Sequence, residues 1–421
     1  MVACCPEPFR CKLVELVNKS RILVVSITEL LDYMRCRRAW DFQSANRQSL
    51  VRKGIPATAL WVGQAMHLAF AAQIDGKDWE VALDEYISAM RAEMTEDYQR
   101  RVGAPMSTSE VQLFQESVTM IKTVVRRYFL YYGTPNTFAS RGCRAIASEL
   151  TFRIPLPKIA AKYGYDMVYL VGTIDAVLQM LIGNDIGLAD HKSFTQRVDI
   201  RDLKYDHQFV GYAACMYVLT GIAPRFFLYN GVNKKIPTVP PVLKGQGPTQ
   251  GRLSRSKENV TDFVTYREAI VANNEDPDDP FYAEHLAWLA LRDKEDSPFF
   301  VRHRVDFSVT QLKDWWDNAM TAISEIAGDP PIYYNRRWEG CWDCNVRDLC
   351  DTMSTGGDVQ YLIQTGYQIG TYGTQQTLQN TVSPETVNSV EDLLNFTKIK
   401  QELRDHPLHL VEVEGTGSSD T

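Results

Sequence analysis

Residues 172–193 read GTIDAVLQMLIGNDIGLADHKS, and the fold follows from this stretch. Two apolar, β-branched runs flank Gly183-Asn184, a dipeptide suited to the tight turn between antiparallel strands. Side chains alternate along a strand, so Asp190 and Lys192 share one face and His191 points to the other. With a turn at residues 182–184, Asp175 falls within about two positions of the residue opposite Asp190. Two carboxylates and an ammonium then crowd one patch of sheet. Like charges held this close repel unless a cation sits between them. Mg2+ or Mn2+ suits the arrangement, because both are hard ions that favour carboxylate oxygen and retain water. Such an ion polarises a phosphoryl oxygen and lowers the pKa of bound water. Lys192 would orient that water or stabilise charge on a pentavalent phosphate. These parts suit phosphodiester hydrolysis. A D-x-K triplet alone is common by chance, and its ordinary outcome is a surface Asp beside a snorkelling Lys. Its place on the second of two adjacent strands gives it weight.

Upstream, the sequence predicts helix. Ser26-Ile27-Thr28-Glu29 and Ser107-Thr108-Ser109-Glu110 are capping boxes that open the helices LLDYMRCRRAW and VQLFQESVTMIKTVVRRYFLYY. Between them, ATALWVGQAMHLAFAA places Leu60, Gln64 and His67 at helical spacing. A lone His on so apolar a helix is more often a satisfied core residue. Residues 1–25 are expected to be a flexible lead-in. Downstream of the first strand run, CRAIASELTFRI, and of the hairpin itself, YDHQFVGYAACMYVLTG predicts a helix and RFFLYNGVN another strand. The helix brings Gln208 and Tyr212 to one face, four residues apart. The order strand–strand–strand–helix–strand inside a helical chain predicts an α/β core. Residues 233–260 are rich in Pro, Gly and basic residues and are expected to form a mobile basic loop. Residues 263–327 read as helix. Residues 354–421 are rich in Gln, Thr and Gly, then acidic, and are expected to be a flexible tail with one helix around VEDLLNFTKIKQELR.

Composition narrows the classes less sharply. Hydrophobic residues make up 45% of the 421, enough for a large core. No apolar run is long enough to span a membrane. The first residues lack a basic segment followed by an apolar one, so a cytoplasmic protein is expected. The net charge of −7 counts mildly against nucleic acid as a partner, although basic patches exist at Arg35, Arg37 and Arg38 and between Lys244 and Lys257. Nine cysteines in a reducing compartment argue against a disulfide framework. No Walker A motif is present, so ATP-driven unwinding would come from a partner such as a helicase or recombination protein.

Taken in order, His67, Asp175, Asp190-His191-Lys192 and Gln208-Phe209-Val210-Gly211-Tyr212 resemble the RecB-like branch of the PD-(D/E)xK nucleases. That family runs helix His, strand Asp after Gly, D-x-K strand, then Q-x-x-x-Y helix. The resemblance covers roughly Ser26 to Cys350. It implies a restriction-endonuclease-like core, a central mixed sheet flanked by helices, within a nuclease domain of residues 26–353. It also implies that His67, Asp175, Asp190 and the backbone carbonyl of His191 bind Mg2+ or Mn2+, that Asp175, Asp190 and Lys192 are catalytic, and that Gln208 and Tyr212 line the DNA path. Glu149 matches a carboxylate often found on the preceding strand. His191 stands where the family usually has Tyr, Trp or Phe. Arg252, Arg255 and Lys257 in the basic loop are further candidates for binding DNA, since they would neutralise phosphates.

Cys341-x2-Cys344-x5-Cys350 supplies three thiolates in a short segment, and a zinc site or a 4Fe–4S cluster needs a fourth. Cys36 is the best candidate, with Cys4 or Cys11 as lesser ones. One distant Cys joined to a C-terminal triad matches the iron–sulfur nucleases of the same family, the CRISPR-associated RecB-like exonucleases and the AddB type among them. The resemblance therefore favours 4Fe–4S over zinc and gives a C-terminal cluster-binding segment. The expected activity is exonucleolytic cleavage of single-stranded DNA or DNA ends, in recombination, repair or viral genome processing, phage-encoded enzymes included. The alternatives are a non-catalytic DNA-end-binding scaffold subunit and a structure-specific endonuclease on the same core.

Overall fold

The computed structural model describes residues 21–53, 58–195, 200–244, 247–336, 338–342 and 344–370. Strand β1 (Ile22–Ser26) leads directly into α1 (Ile27–Arg35), whose first turn is capped by Ser26 Oγ accepting from Glu29 N at 3.0 Å. Cys36 then adopts an extended conformation (φ −161°) and separates α1 from α2 (Arg37–Gln43). The continuous helix expected through LLDYMRCRRAW is therefore broken at its cysteine. After the short β2 (Leu50–Arg52) come three long helices, α3 (Thr58–Ile74), α4 (Trp79–Val102) and α5 (Thr108–Tyr132). The α5 capping box forms as expected from Ser107 and Glu110.

The sheet follows: β3 (Cys143–Pro155), a short α6 (Pro157–Tyr163), β4 (Met167–Met180) and β5 (Ile186–Phe194). Next are α7 (Ile200–Leu203), α8 (His207–Thr220) and β6 (Phe226–Asn233). An insertion built on α9 (Phe263–Ala272) and α10 (Pro280–Asp296) precedes β7 (Phe300–Asp306) and α11 (Val309–Ala327). The C-terminal elements are α12 (Trp338–Trp342), α13 (Arg347–Ser354), α14 (Val359–Gly366) and β8 (Tyr367–Ile369). No described helix is long and apolar enough to cross a membrane.

The main sheet is mixed. β1 runs parallel to β4 and β5 parallel to β6, while the β3–β4, β4–β5 and β6–β7 pairs are antiparallel. β3 covers one edge of β4 along its length. The other edge is shared: β1 takes residues 167–171 and β5 takes 176–179. Residues 172–175 lie at the handover, paired to neither on that side. Gly172 is required here, because a Cβ would stand 2.6 Å from Phe152 Cζ and 3.2 Å from Ile27 Cγ1. α3 and α5 cover one face through a core that includes Phe70, Val125 and Tyr128, with α4 packed on α3. α8 covers the other, with Phe209 stacked on Phe227 at a centroid distance of 4.1 Å. Gly211 lets the ring of Trp315 from α11 lie against α8.

Four further sequence expectations differ from what the structure shows. Residues 22–26 belong to a sheet strand rather than to the lead-in; the run is short and its partner lies far along the chain. β7 lies inside the region read as helical, and its alternation is disguised by the buried Arg302. The described part of residues 233–260 is irregular but anchored. Val242 bridges Leu253, and Leu253 packs with Tyr266, Ile270 and Tyr282 of the α9–α10 unit. Finally, α14 and β8 occupy the start of the expected tail, with β8 antiparallel to β2. The helix expected around residues 390–404 lies outside the described residues.

Candidate active site

Register across three strands aligns the acidic residues. Ser148 pairs with Ala176 and Leu150 with Ile174, which sets Glu149 opposite Asp175. Ala176 pairs with Ala189 at the end of the β4–β5 ladder, so Asp175 and Asp190 each follow that last pair on neighbouring strands. The hairpin thus brings the two aspartates close enough that the charge of Asp175 acts on Asp190. Glu149 follows an irregularity between Ala145 and Ala147 and has φ +43°, the left-handed region that non-glycine residues rarely occupy. Backbone strain of this kind concentrates at functional sites.

His67 enters from α3. Its Nε2 is 2.7 Å from the carbonyl oxygen of His191, and its Nδ1 is 3.5 Å from Asp175 Oδ2 and 3.8 Å from Glu149 Oε1. Ligand atoms of His67, Glu149 and Asp175 all lie within 4.8 Å of one another. Asp175 Oδ2 also accepts from His191 N at 2.6 Å. Asp190 is buried at 2% exposure. Its Oδ2 lies 2.7 Å from Lys192 Nζ but off the hydrogen-bonding direction, which leaves this buried oxygen without a hydrogen-bond partner. Lys192 Nζ donates to Gln208 Oε1 at 3.0 Å, and Gln208 Nε2 donates to Tyr212 OH at 3.0 Å. An ammonium only donates, so it fixes which way the Gln208 amide faces.

The electrostatics follow from burial and crowding. Burial raises the Asp190 pKa, Lys192 opposes that rise, and the charge of Asp175 adds to it. Burial acts in the same direction on Asp175, but the charge and hydrogen bond of His67 outweigh it and hold that carboxyl below its usual range. Burial disfavours a charged His67, yet Asp175 and Glu149 raise it well above an ordinary histidine. His191 is pushed down to about 3, chiefly by burial, and stays neutral. The pocket therefore attracts positive charge, at His67 beside Asp175 and Glu149 and at Lys192 beside Asp190.

The structure brings together His67, Glu149, Asp175, Asp190, the His191 carbonyl, Lys192, Gln208 and Tyr212. It does not bring Arg252, Arg255 or Lys257 into contact with them. Arg252 ion-pairs with Glu275 at 2.8 Å and with Asp279, so its charge is already matched within the α9–α10 unit. Arg255 and Lys257 are exposed there, over the rings of Phe281 and Trp288. Sequence reasoning missed Asn230, Arg302 and Tyr128 behind the sheet. Their one visible signal is a polar residue in the middle of an apolar strand or helix face.

A second cluster forms where the ends of the described chain meet. Cys36, at the joint between α1 and α2, lies with Cys344 and Cys350 against Ala39, Phe42, Val346 and Leu349. Burial raises the Cys344 thiol, and the nearby Cys36 and Cys341 add to the effect. Burial, with Cys344 and Cys36 as neighbours, pushes Cys350 up to about 11. All four thiols are free and only half-buried. Cys215 is sealed in the core and Cys143 is also buried, away from this group. Cys4, Cys5 and Cys11 lie outside the described residues.

A mixed sheet flanked by helices, with a D-x-K lysine beside aligned carboxylates, defines a restriction-endonuclease-like fold. Residues 24–351 match the family model of the PD-(D/E)XK nuclease superfamily, and the chain belongs to that superfamily. No curated protein matches the chain. Among solved structures it is similar to a Eubacterium rectale protein described only provisionally as an exonuclease. That likeness has 11% identity and a TM-score of 0.35, over 77% of this chain and 87% of the other.

Proposed function

We propose that this nuclease is a RecB-like, Mg2+- or Mn2+-dependent DNA exonuclease acting on single strands or on ends, in recombination, repair or viral genome processing. The observation that carries the reading is the row Glu149–Asp175–Asp190, set between His67 on one side and Lys192 on the other. The residues fit a hard divalent cation: three carboxylates and one carbonyl provide oxygen, one imidazole provides nitrogen, and Asp190 Oδ2 is buried without a hydrogen-bond partner. His67, Glu149, Asp175, Asp190 and the His191 carbonyl would hold the ion. When bound, the ion supplies Lewis acidity toward the phosphate and a more acidic water. Lys192, held by Asp190 and Gln208, places a positive charge where a pentavalent phosphate gathers negative charge. Gln208 and Tyr212 extend that line along α8 as a path for the strand. Arg255 and Lys257 would hold more distant phosphates.

The cysteine group supports a 4Fe–4S cluster with Cys36, Cys341, Cys344 and Cys350 as ligands, zinc being the alternative. It would fasten α1–α2 to α12–α13. A helicase or recombination protein would supply any unwinding that the substrate requires.

The test uses linear single-stranded DNA labelled at one end or the other, and a closed circle of the same sequence, each with Mn2+ and with EDTA. An exonuclease shortens the linear strand progressively from one end, leaves the circle intact and stops in EDTA. Cleavage of the circle would make the enzyme an endonuclease. Intact DNA throughout would remove the nuclease reading.

A further inference from the structure

The proposed chemistry uses the backbone of His191 and gives its imidazole no task. That ring is 3% exposed and lies beneath α3 and α5, 4.7 Å from the ring of Phe70 and 5.8 Å from that of His67. It is not packed only against hydrocarbon. His191 pairs with Asn230 across β5–β6, and Asn230 pairs with Arg302 across β6–β7. Three polar side chains therefore form a buried row behind the sheet, with Asn230 at 0% and Arg302 at 4% exposure.

The row has a fixed direction. Arg302 Nε donates to Asn230 Oδ1 at 2.7 Å, its NH2 donates to Tyr128 OH at 2.6 Å, and its NH1 donates to the Thr137 carbonyl. Its guanidinium also lies over Tyr132, 3.5 Å from the ring centroid. A guanidinium cannot accept, so the Asn230 oxygen must face it and the Asn230 NH2 must face away. That NH2 lies 2.9 Å from Tyr128 OH and 2.6 Å from His191 Nδ1. It donates, so His191 Nδ1 is the acceptor and the ring proton sits on Nε2. One buried cation thus fixes an amide, a tautomer and a ring orientation in turn. Apolar residues would fill the same space without burying a charge. What the polar row adds is orientation.

The same His191 holds its carbonyl oxygen 2.7 Å from His67 Nε2 and gives its N–H to Asp175 Oδ2 at 2.6 Å. Ring and peptide share one Cα, so fixing the ring restrains the peptide. We infer that Arg302, acting through Asn230, is a positioning residue that holds the His191 carbonyl in register with His67, Glu149 and Asp175 to receive a divalent cation. This rests on the metal site of the proposed function.

The test is calorimetric titration of the full chain with Mn2+, alongside steady-state cleavage of single-stranded DNA. Asn230→Asp keeps the acceptor for Arg302 but removes the donor to His191. Arg302→Lys keeps the charge but loses the fork. Each is expected to weaken Mn2+ binding by about tenfold, the scale seen when a group behind a metal ligand is removed. Each should also lower kcat while leaving the KM for DNA within about twofold, the pattern of a lost transition-state interaction. His191→Leu covers the case in which those variants fail to fold. It fills the apolar surroundings, cannot accept from Asn230, and should show the same loss. Folded variants that bind Mn2+ as tightly as the parent would overturn the inference. Wild-type protein that binds Mn2+ normally yet leaves DNA intact would sink the nuclease reading while the positioning network stood. A wild type that binds no Mn2+ would overturn both.

Discussion

Gly211→Ala tests whether the packing of α8 sets the geometry of the site. A Cβ at position 211 would stand 2.5 Å from Cζ2 of Trp315 and 2.9 Å from both Cε2 and Cη2. Carbon atoms prefer roughly 3.5–4.0 Å, so α8 and α11 must separate by about 1 Å locally. Trp315 is only 5% exposed and has little room to turn away. Overpacking of this kind costs about 1–3 kcal/mol. Helix propensity works the other way, because replacing Gly by Ala in a helix gains about 1 kcal/mol. The net expectation is a loss of up to about 2 kcal/mol, readable as a lower urea midpoint at unchanged slope. Gln208 and Tyr212 flank Gly211 on the same helix, and the contacts from Lys192 to Gln208 and from Gln208 to Tyr212 are each 3.0 Å. A displacement of about 1 Å breaks this line, and misplacement on that scale lowers rates by up to roughly 100-fold. A variant at least as stable as the parent and fully active would show that neither the Trp315 contact nor the position of α8 matters.

Three further outcomes are expected. Glu29 is buried under Trp40 and Asn46, whose nitrogens donate to it at 3.1 Å and 3.0 Å, and burial raises its pKa above 4.5. The folded state therefore binds the proton more tightly than the unfolded chain, so the wild type loses stability as pH rises from 4.5 through the raised value. Glu29→Gln lacks this loss and should gain on the wild type over that window in denaturation experiments; a gap independent of pH would contradict it. Cys36→Ala or Cys350→Ala should abolish bound iron and the accompanying visible absorbance, and should lower the melting temperature, because cluster binding contributes to folding. Unchanged iron in either variant would remove that residue from the ligand set. Arg255→Ala with Lys257→Ala should weaken single-stranded DNA binding uniformly across sequences and reduce its salt slope by about one to two. An unaltered slope would place the DNA elsewhere.

The elements legible in the sequence are those specified locally. Gly183-Asn184 and the alternation around Asp190 define a hairpin with no help from distant residues; the Ser107 capping box forms where it is written, and Ser26 caps its helix although Glu29 turns to Trp40, Ser44 and Asn46 instead of back to the cap. What stayed hidden depends on remote partners. β1 has a strand only because β4 lies beside it, and β8 only because β2 does. β7 reads as polar because Arg302 is buried, and that burial is stable only with Asn230, Thr137 and Tyr128 in place. The place of Glu149 depends on an irregularity near Ala145 that no local pattern announces. In the basic loop, charge was visible but not its neutralisation: Glu275 and Asp279, which pair with Arg252, come more than twenty residues later. That Cys36 lies with Cys344 and Cys350 in the fold was anticipated through chemistry rather than pattern, since a metal held by three clustered thiolates would call for a fourth.

The most direct test of the central claim is the single-turnover rate of single-stranded DNA cleavage in Mn2+ for wild type, Asp190→Asn and Lys192→Met. Each variant is first shown to be folded and to bind DNA. If the row of carboxylates and its lysine carry the chemistry, both substitutions should lower the rate by about 1,000-fold or more, with DNA affinity little changed. Either variant cutting within about tenfold of the wild-type rate would place the chemistry elsewhere in the molecule.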